Sequence, residues 1–385
     1  MQRFMFLRVM IVVCALLLPM SVFAQETIKI GFFAPLTGFA AADGTSAKQA
    51  VDLAVKAVNA SGGVLGKQIE LVSYDDRHDS KEAVAIANKL IEKDQVVAVA
   101  SGSYSMPTRV TAPIFQRAGM PMVAGYAVHP DVTKAGDFIF RVGYLAEVEG
   151  GAAADVAVKL LNAKKLAVLT MDNDFGRSLA VAFKKRAEQL GAEIVSDNIY
   201  ALGEKDFTPL LTKVKDAHPE LLYTSGYYNE AALISKQAKD LGLEAQILGE
   251  EGFDSPKFIE LAGEAANGVI FTTNLNREDP RPFVQEFLKQ YRESYGIEPD
   301  MVGASSYDAF MVVIEGIKQA GSTDAKAIRD AIANLKDYDG VTGKVSSFNA
   351  IGEVMKSVQV QIVKDGEFKH FGEISDPEVI TPPAE

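Results

Sequence analysis

The sequence has almost no sulfur chemistry and no tryptophan: Cys14 is the one cysteine among 385 residues. A single thiol cannot close an intrachain disulfide, so stability has to come from a large buried core. Catalytic signatures are missing as well. There is no Gly-x-Ser-x-Gly elbow, no phosphate-binding P-loop, no Gly-x-Gly-x-x-Gly fingerprint and no His-Glu-x-x-His pair. The four histidines (His78, His129, His218, His370) are scattered without metal-ligand spacing, so neither a metal nor a cofactor is expected. Basic residues are the minority, 39 Lys and Arg against 51 Asp and Glu, for a net charge of −12. That balance argues against nucleic acid and anionic lipid as partners. Apart from one short N-terminal run, no segment is apolar and long enough to cross a membrane.

That run has the layout of an export signal. Arg3 and Arg8 precede the apolar stretch Val9–Leu18, and Val22-Phe23-Ala24 offers small residues for cleavage between Ala24 and Gln25. Cys14 sits within the apolar stretch after Val12-Val13, a poor context for lipidation. Cleavage would leave a cysteine-free chain of 361 residues with a net charge of −14, since two arginines leave with the signal. A chain that long exceeds what one core ordinarily serves and points to two lobes.

After residue 26 short apolar strands alternate with helices. Ile28–Phe32, Gln68–Ser73, Gln95–Ala100, Pro121–Ala124 and Phe138–Val142 read as strands; Thr45–Asn59, a helix capped by Asp79-Ser80 and Pro107–Arg117 read as helices. The rhythm resumes with strands at Lys165–Thr170, Glu193–Tyr200, Leu221–Ser225, Gln246–Gly249 and Gly268–Thr272. Such alternation predicts two α/β, doubly wound parallel-sheet lobes. Ligands of such sheets bind outside the carboxyl ends of the strands, hence in the cleft between the lobes. Helices follow at Arg281–Tyr295, Ser305–Ala320 and Asp324–Leu335, then a strand at Val358–Val363 and a polar, Pro-containing tail from Asp376 expected to be disordered. The acidic run Tyr74–Asp79 admits a metal-site reading, but a strand end followed by a helix cap explains it.

An ordered set of motifs carries a resemblance. Ile30–Gly38, Asn59–Gly66, Tyr74-Asp75-Asp76, Gly102–Ser105, Asp174-Phe175-Gly176, Gly203–Phe207, Ser225–Tyr228 and Gly249–Gly252 resemble the leucine/isoleucine/valine-binding proteins, the type I periplasmic receptors of ABC importers. The resemblance spans nearly the whole chain after the signal. It implies a type I periplasmic binding protein fold with a three-segment hinge, crossing near 143–149, 274–279 and 348–352. The lobes would then be 25–143 plus 276–348, and 144–275 plus 349–375. It also implies a small amino-acid ligand, branched-chain or apolar, an inner-membrane ABC permease as partner, periplasmic location and no enzymatic activity. A sensor for amides or small organic acids and a periplasmic hydrolase are the competing readings.

The resemblance implies site residues too. Ser105 would bind the ligand carboxylate together with backbone N–H groups at a helix start, although taken alone it reads as an ordinary N-cap. Glu251 would hold the ammonium, with Tyr126 or Ala127 offering backbone oxygen. Tyr227 and Phe175 would form aromatic walls, and Phe39 is a further wall candidate; core packing or surface placement are the plainer readings of each. Val128 stands where the family usually carries a threonine hydroxyl, so the carboxylate geometry should differ here.

Overall fold

A computed structural model describes residues 26–384, and the expected signal segment and its cleavage site lie outside them. The first lobe is built by β1 (Thr27–Ala34), α1 (Ala41–Ala60), β2 (Gln68–Asp75), α2 (Ser80–Lys89), β3 (Ala98–Ser101), α3 (Ser105–Ala118), β4 (Met122–Ala124) and β5 (Ile139–Arg141). Its five strands are all parallel, in the order β2-β1-β3-β4-β5. β1, β3 and β4 are buried over nearly their whole length, as expected where helices cover both faces of a parallel sheet.

The second lobe repeats the plan. It runs through α4 (Ala146–Asp155), β6 (Lys165–Met171), α5 (Asp174–Gln189), β7 (Glu193–Tyr200), α6 (Thr208–Asp216), β8 (Leu221–Ser225), α7 (Tyr228–Asp240), β9 (Gln246–Gly249), α8 (Pro256–Ala262) and β10 (Ile270–Thr273). The chain then contributes α9 (Pro282–Tyr295), α10 (Met301–Ala320), α11 (Ala325–Ala333) and the hairpin β11 (Lys336–Gly340) and β12 (Gly343–Ser347). α10 packs along α1 and against β3 and β4, which returns this segment to the first lobe. Finally β13 (Val358–Lys364) and β14 (Glu367–Ile374) add to the second sheet, followed by α12 (Pro377–Ile380). The second sheet runs β7-β6-β8-β9-β10 in parallel, then β13 and β14 antiparallel. In both sheets the strand order therefore reverses at the same place, between the lobe's first strand and its third.

Local chemistry sets the helix starts. Asp79, Asn173, Asp300 and Asp324 accept backbone N–H bonds at the starts of α2, α5, α10 and α11. Asp79 thus has the capping role that explained the acidic run. α4 was not legible because it has no apolar stripe: nine of its ten residues are buried on every side, and a Cβ on Gly150 would stand 2.6 Å from the Leu179 oxygen of α5. The first hinge passage needs Gly143, where a Cβ would meet the Gly125 oxygen at 2.4 Å.

Two expectations are corrected. The tail from 376 is not structureless: Val379 and Ile380 of α12 are buried against α4, and Glu378 pairs with Arg186 at 3.1 Å. Two buried aliphatics outweigh its polar composition. The third passage also falls later than 348–352. The Arg141 N–H still donates to the Gly352 oxygen at 2.9 Å, and Arg141 pairs with Glu353 at 3.0 Å, which keeps residues 349–353 on the edge of the first sheet.

Candidate functional site

Each candidate side chain follows the carboxyl end of a parallel strand. In the first lobe, Phe39 and Asp43 follow β1, His78 follows β2, Tyr104 and Ser105 follow β3, and Tyr126 to Val128 follow β4. In the second lobe, Asn173 and Phe175 follow β6, Tyr227 follows β8, Glu250 and Glu251 follow β9, and Asn274 follows β10. The two carboxyl edges face one another and are closed. Arg109 of α3 pairs with Asp174 of α5 at 2.8 Å, and the hydroxyl of Tyr228 donates to the Phe39 oxygen at 3.2 Å.

Between the edges lies a stack of rings. Phe175 lies on Tyr227 at 5.1 Å between centroids, and Tyr227 lies on Tyr104 across the cleft at 4.4 Å. Tyr126 and His78 meet Tyr104 edge-on, at 5.9 and 5.1 Å. Phe39, 42% exposed, closes the rim within 6.4 Å of Tyr104. The Tyr104 hydroxyl donates to Asp43 at 2.6 Å, and that of Tyr126 to the Gly102 oxygen at 2.8 Å. Burial holds both phenols far above their usual range, so they act as neutral donors. Burial likewise lowers His78 to about 4, which keeps its imidazole uncharged at neutral pH.

The first lobe offers a place for an anion. Ser105 is the first residue of α3, and the preceding Tyr104 provides no side-chain cap, so the helix start keeps its N–H groups uncapped by side chains. Ser105 is 1% exposed and its hydroxyl has no partner; neither does that of Ser103. The ordinary N-cap role is not the one Ser105 plays.

The second lobe offers the opposite sign. Glu251 is 1% exposed; one carboxylate oxygen accepts from the Asn274 amide at 2.7 Å and the other has no partner. Its backbone N–H donates to Glu149 at 3.0 Å, and Glu250 accepts from the Gly226 N–H at 2.8 Å, beside Tyr227. Gly226 has no room for a side chain there, since a Cβ would stand 1.9 Å from the Tyr200 hydroxyl. Burial first, then Glu149 and Glu250, push the Glu251 carboxyl well above its ordinary range.

The structure thus brings Ser105, Tyr126, Phe175 and Tyr227 to one cleft, with Glu251 behind the Tyr227 loop. The side chain of Ala127 packs in the apolar cluster of Phe33 and Phe115. Val128 is fully buried among apolar side chains, and its oxygen accepts from the Ala146 N–H at 3.0 Å. Sequence reasoning missed Tyr104, His78 and Asp43. The motif Gly102–Ser105 was recognised for its serine, and the Tyr beside it was the available signal. Among the described residues no cluster of three or more His, Cys, Asp or Glu is placed to hold a metal.

The comparisons with known proteins agree with this fold. The profile of the periplasmic binding protein family matches residues 27–367. The leucine-, isoleucine-, valine-, threonine-, and alanine-binding protein of Pseudomonas aeruginosa is 32% identical over 326 residues, 84% of this chain and 86% of that protein. The leucine-binding protein LivK of Thermotoga maritima superposes with a TM-score of 0.85 at 33% identity, covering 91% of this chain and 99% of that one. LivJ of Streptococcus pneumoniae, solved in complex with isoleucine, gives a TM-score of 0.84 at 30% identity over 91% and 99% of the two chains. On the fold, the paired strand-end clefts and these matches, the chain belongs to the periplasmic binding protein family.

Proposed function

We propose that this chain is the solute receptor of an ABC importer, exported to the periplasm by its first 24 residues, and that it carries an apolar α-amino acid to an inner-membrane permease without chemically changing it. One observation carries the reading. The strand ends of the first lobe carry a helix start with an unpartnered Ser105 hydroxyl, and those of the second carry a buried Glu251 with an unpartnered oxygen. A zwitterion complements both ends, and an unpaired buried carboxylate is costly unless a cation joins it. The relatives and structures named for leucine, isoleucine and valine support an aliphatic side chain against the Phe175–Tyr227 wall.

In this reading ligand binding favours the closed arrangement of the lobes, which the permease distinguishes from the open one. The test is a thermal-shift screen of residues 25–385 against the amino acids and small organic acids, followed by calorimetry on the hits. Leucine, isoleucine or valine should raise the melting temperature in proportion to their affinity. A screen answered only by amides or small organic acids would replace the amino-acid reading with that of a sensor for such acids. Turnover of any hit would replace it with a hydrolase.

A further inference from the structure

Glu251 does not stand alone behind the cleft. Glu149, four residues into α4 and just past the first hinge passage, is fully buried and faces it. One oxygen of Glu149 accepts from the Glu251 backbone N–H at 3.0 Å and from the Thr272 hydroxyl at 2.9 Å; its other oxygen has no partner. Two buried carboxyls thus lie near one another, each with one oxygen free. Glu250 adds a third close by, held by the N–H groups of Gly226 and Gly252 at 2.8 and 2.7 Å.

The cations that face these carboxyls are engaged elsewhere. Arg141 is paired with Glu353 at 3.0 Å. Lys356, from the third passage, donates to the oxygen and hydroxyl of Thr342 at 3.3 and 3.0 Å and lies 4.9 Å from the Tyr144 ring. Tyr144 and Tyr223, which also face the acids, are phenols that burial keeps neutral. Like charges in a low-dielectric pocket without a bonded cation cannot both ionise, so at least one proton stays.

We propose that Glu149 is the positioning residue of Glu251, and that the two carboxyls hold one proton between them which the ligand's ammonium displaces to solvent. The proposal rests on the amino-acid reading of the cleft. The ammonium supplies the positive charge that lets both carboxylates ionise, and the bonds from Glu149 to the Glu251 N–H and to Thr272 keep the free oxygen of Glu251 aimed at it. Burial, which raises Glu149 to about 7, places this exchange within the neutral range.

The experiment is calorimetric titration of the mature protein with leucine at several pH values between about 6 and 8.5, at each pH in two buffers that hold that pH and differ strongly in ionisation enthalpy. The wild type should release close to one proton per ligand at about pH 6, falling toward zero above about pH 8.5. Its dissociation constant should rise roughly tenfold per pH unit below the pair's titration. In Glu149→Gln one like charge is gone while burial and Glu250 remain, so the pH at which proton release falls to zero should shift downward even if affinity drops. A merely structural role for Glu149 would alter affinity and leave the proton count unchanged. Should Glu149→Gln fail to fold, the two-buffer comparison and the pH slope on the wild type still decide. Leucine that binds with identical enthalpy in both buffers sinks the proton exchange and leaves the amino-acid reading standing. Absence of binding by any amino acid overturns both.

Discussion

The two lobes share a strand order and a reversal point, yet their strand ends carry opposite electrical character. The first lobe presents an uncapped helix start and unpartnered hydroxyls after β3. The second presents Glu250 and Glu251 after β9, backed by Glu149. Topology decides where a ligand sits, because strands of a parallel sheet deliver their loops to one edge. In the proposed function the side chains on those loops decide which end of the ligand each lobe takes. The first lobe is not free of acid, however: Asp43 is buried beside Tyr104 with one oxygen unpartnered.

The contrast can be broken first at Glu251. Removing one partner of a buried charge pair costs about 2–5 kcal/mol, so Glu251→Ala should weaken amino-acid binding by roughly 30-fold to several thousand-fold. Calorimetry on the folded variant checks it; affinity within about threefold of wild type would remove Glu251 from the site.

Asp43 sharpens the comparison through pH. Burial, then the neighbouring Asp300, raise its carboxyl to about 8. A raised folded-state pKa means a proton held by the native state alone. The stability it brings is complete below about pH 4 and is lost as pH rises through about 8, at up to about 1.4 kcal/mol per pH unit. The melting temperature of ligand-free wild type should fall between pH 5 and 8, and that of Asp43→Asn should fall less. Parallel curves would mean that Asp43 titrates normally.

Ser105 tests the anion side. A hydrogen bond to a charged group contributes about 1.5–3 kcal/mol, so Ser105→Ala should weaken binding about 10- to 150-fold, less than the loss at Glu251. Equal losses at the two positions would erase the asymmetry between a hydroxyl and a charge.

Val128→Thr would add the hydroxyl that the family pattern carries there. Leucine binding should tighten by less than about tenfold, since the new hydroxyl must itself be desolvated. An unchanged affinity would place residue 128 outside the pocket. The smallest effect is expected at Arg109, whose partly exposed pair with Asp174 ties α3 to α5. Such pairs are worth about 0.2–1 kcal/mol, so Arg109→Ala should weaken binding by up to about fivefold, and less at high salt. A larger loss would show that the pair does more than hold the closed lobes together.

Much of this architecture was legible before any coordinates. The βα rhythm set the two parallel sheets, because strands covered on both faces are apolar throughout and cannot be mistaken for amphipathic ones. The strand-end loops that carry Ser105, Phe175, Tyr227 and Glu251 were legible through their motifs. α4 was not, because a helix buried on all sides shows no stripe. α12 was hidden by polar neighbours around its two buried aliphatics, Val379 and Ile380.

What the sequence determined by itself was the class of fold, the strand-end loops that carry the site and the residue types on them, since each follows from local periodicity and motif order. What only the tertiary structure decided was pairing across distance. Tyr104 from one lobe meets Tyr227 from the other, the side chain of Ala127 packs with Phe33 and Phe115, and Glu149, 102 residues from Glu251, comes to hold its backbone. The first of those contacts depends on how the hinge passages set one lobe against the other and the other two on packing within a lobe, and no local pattern in the chain encodes either arrangement.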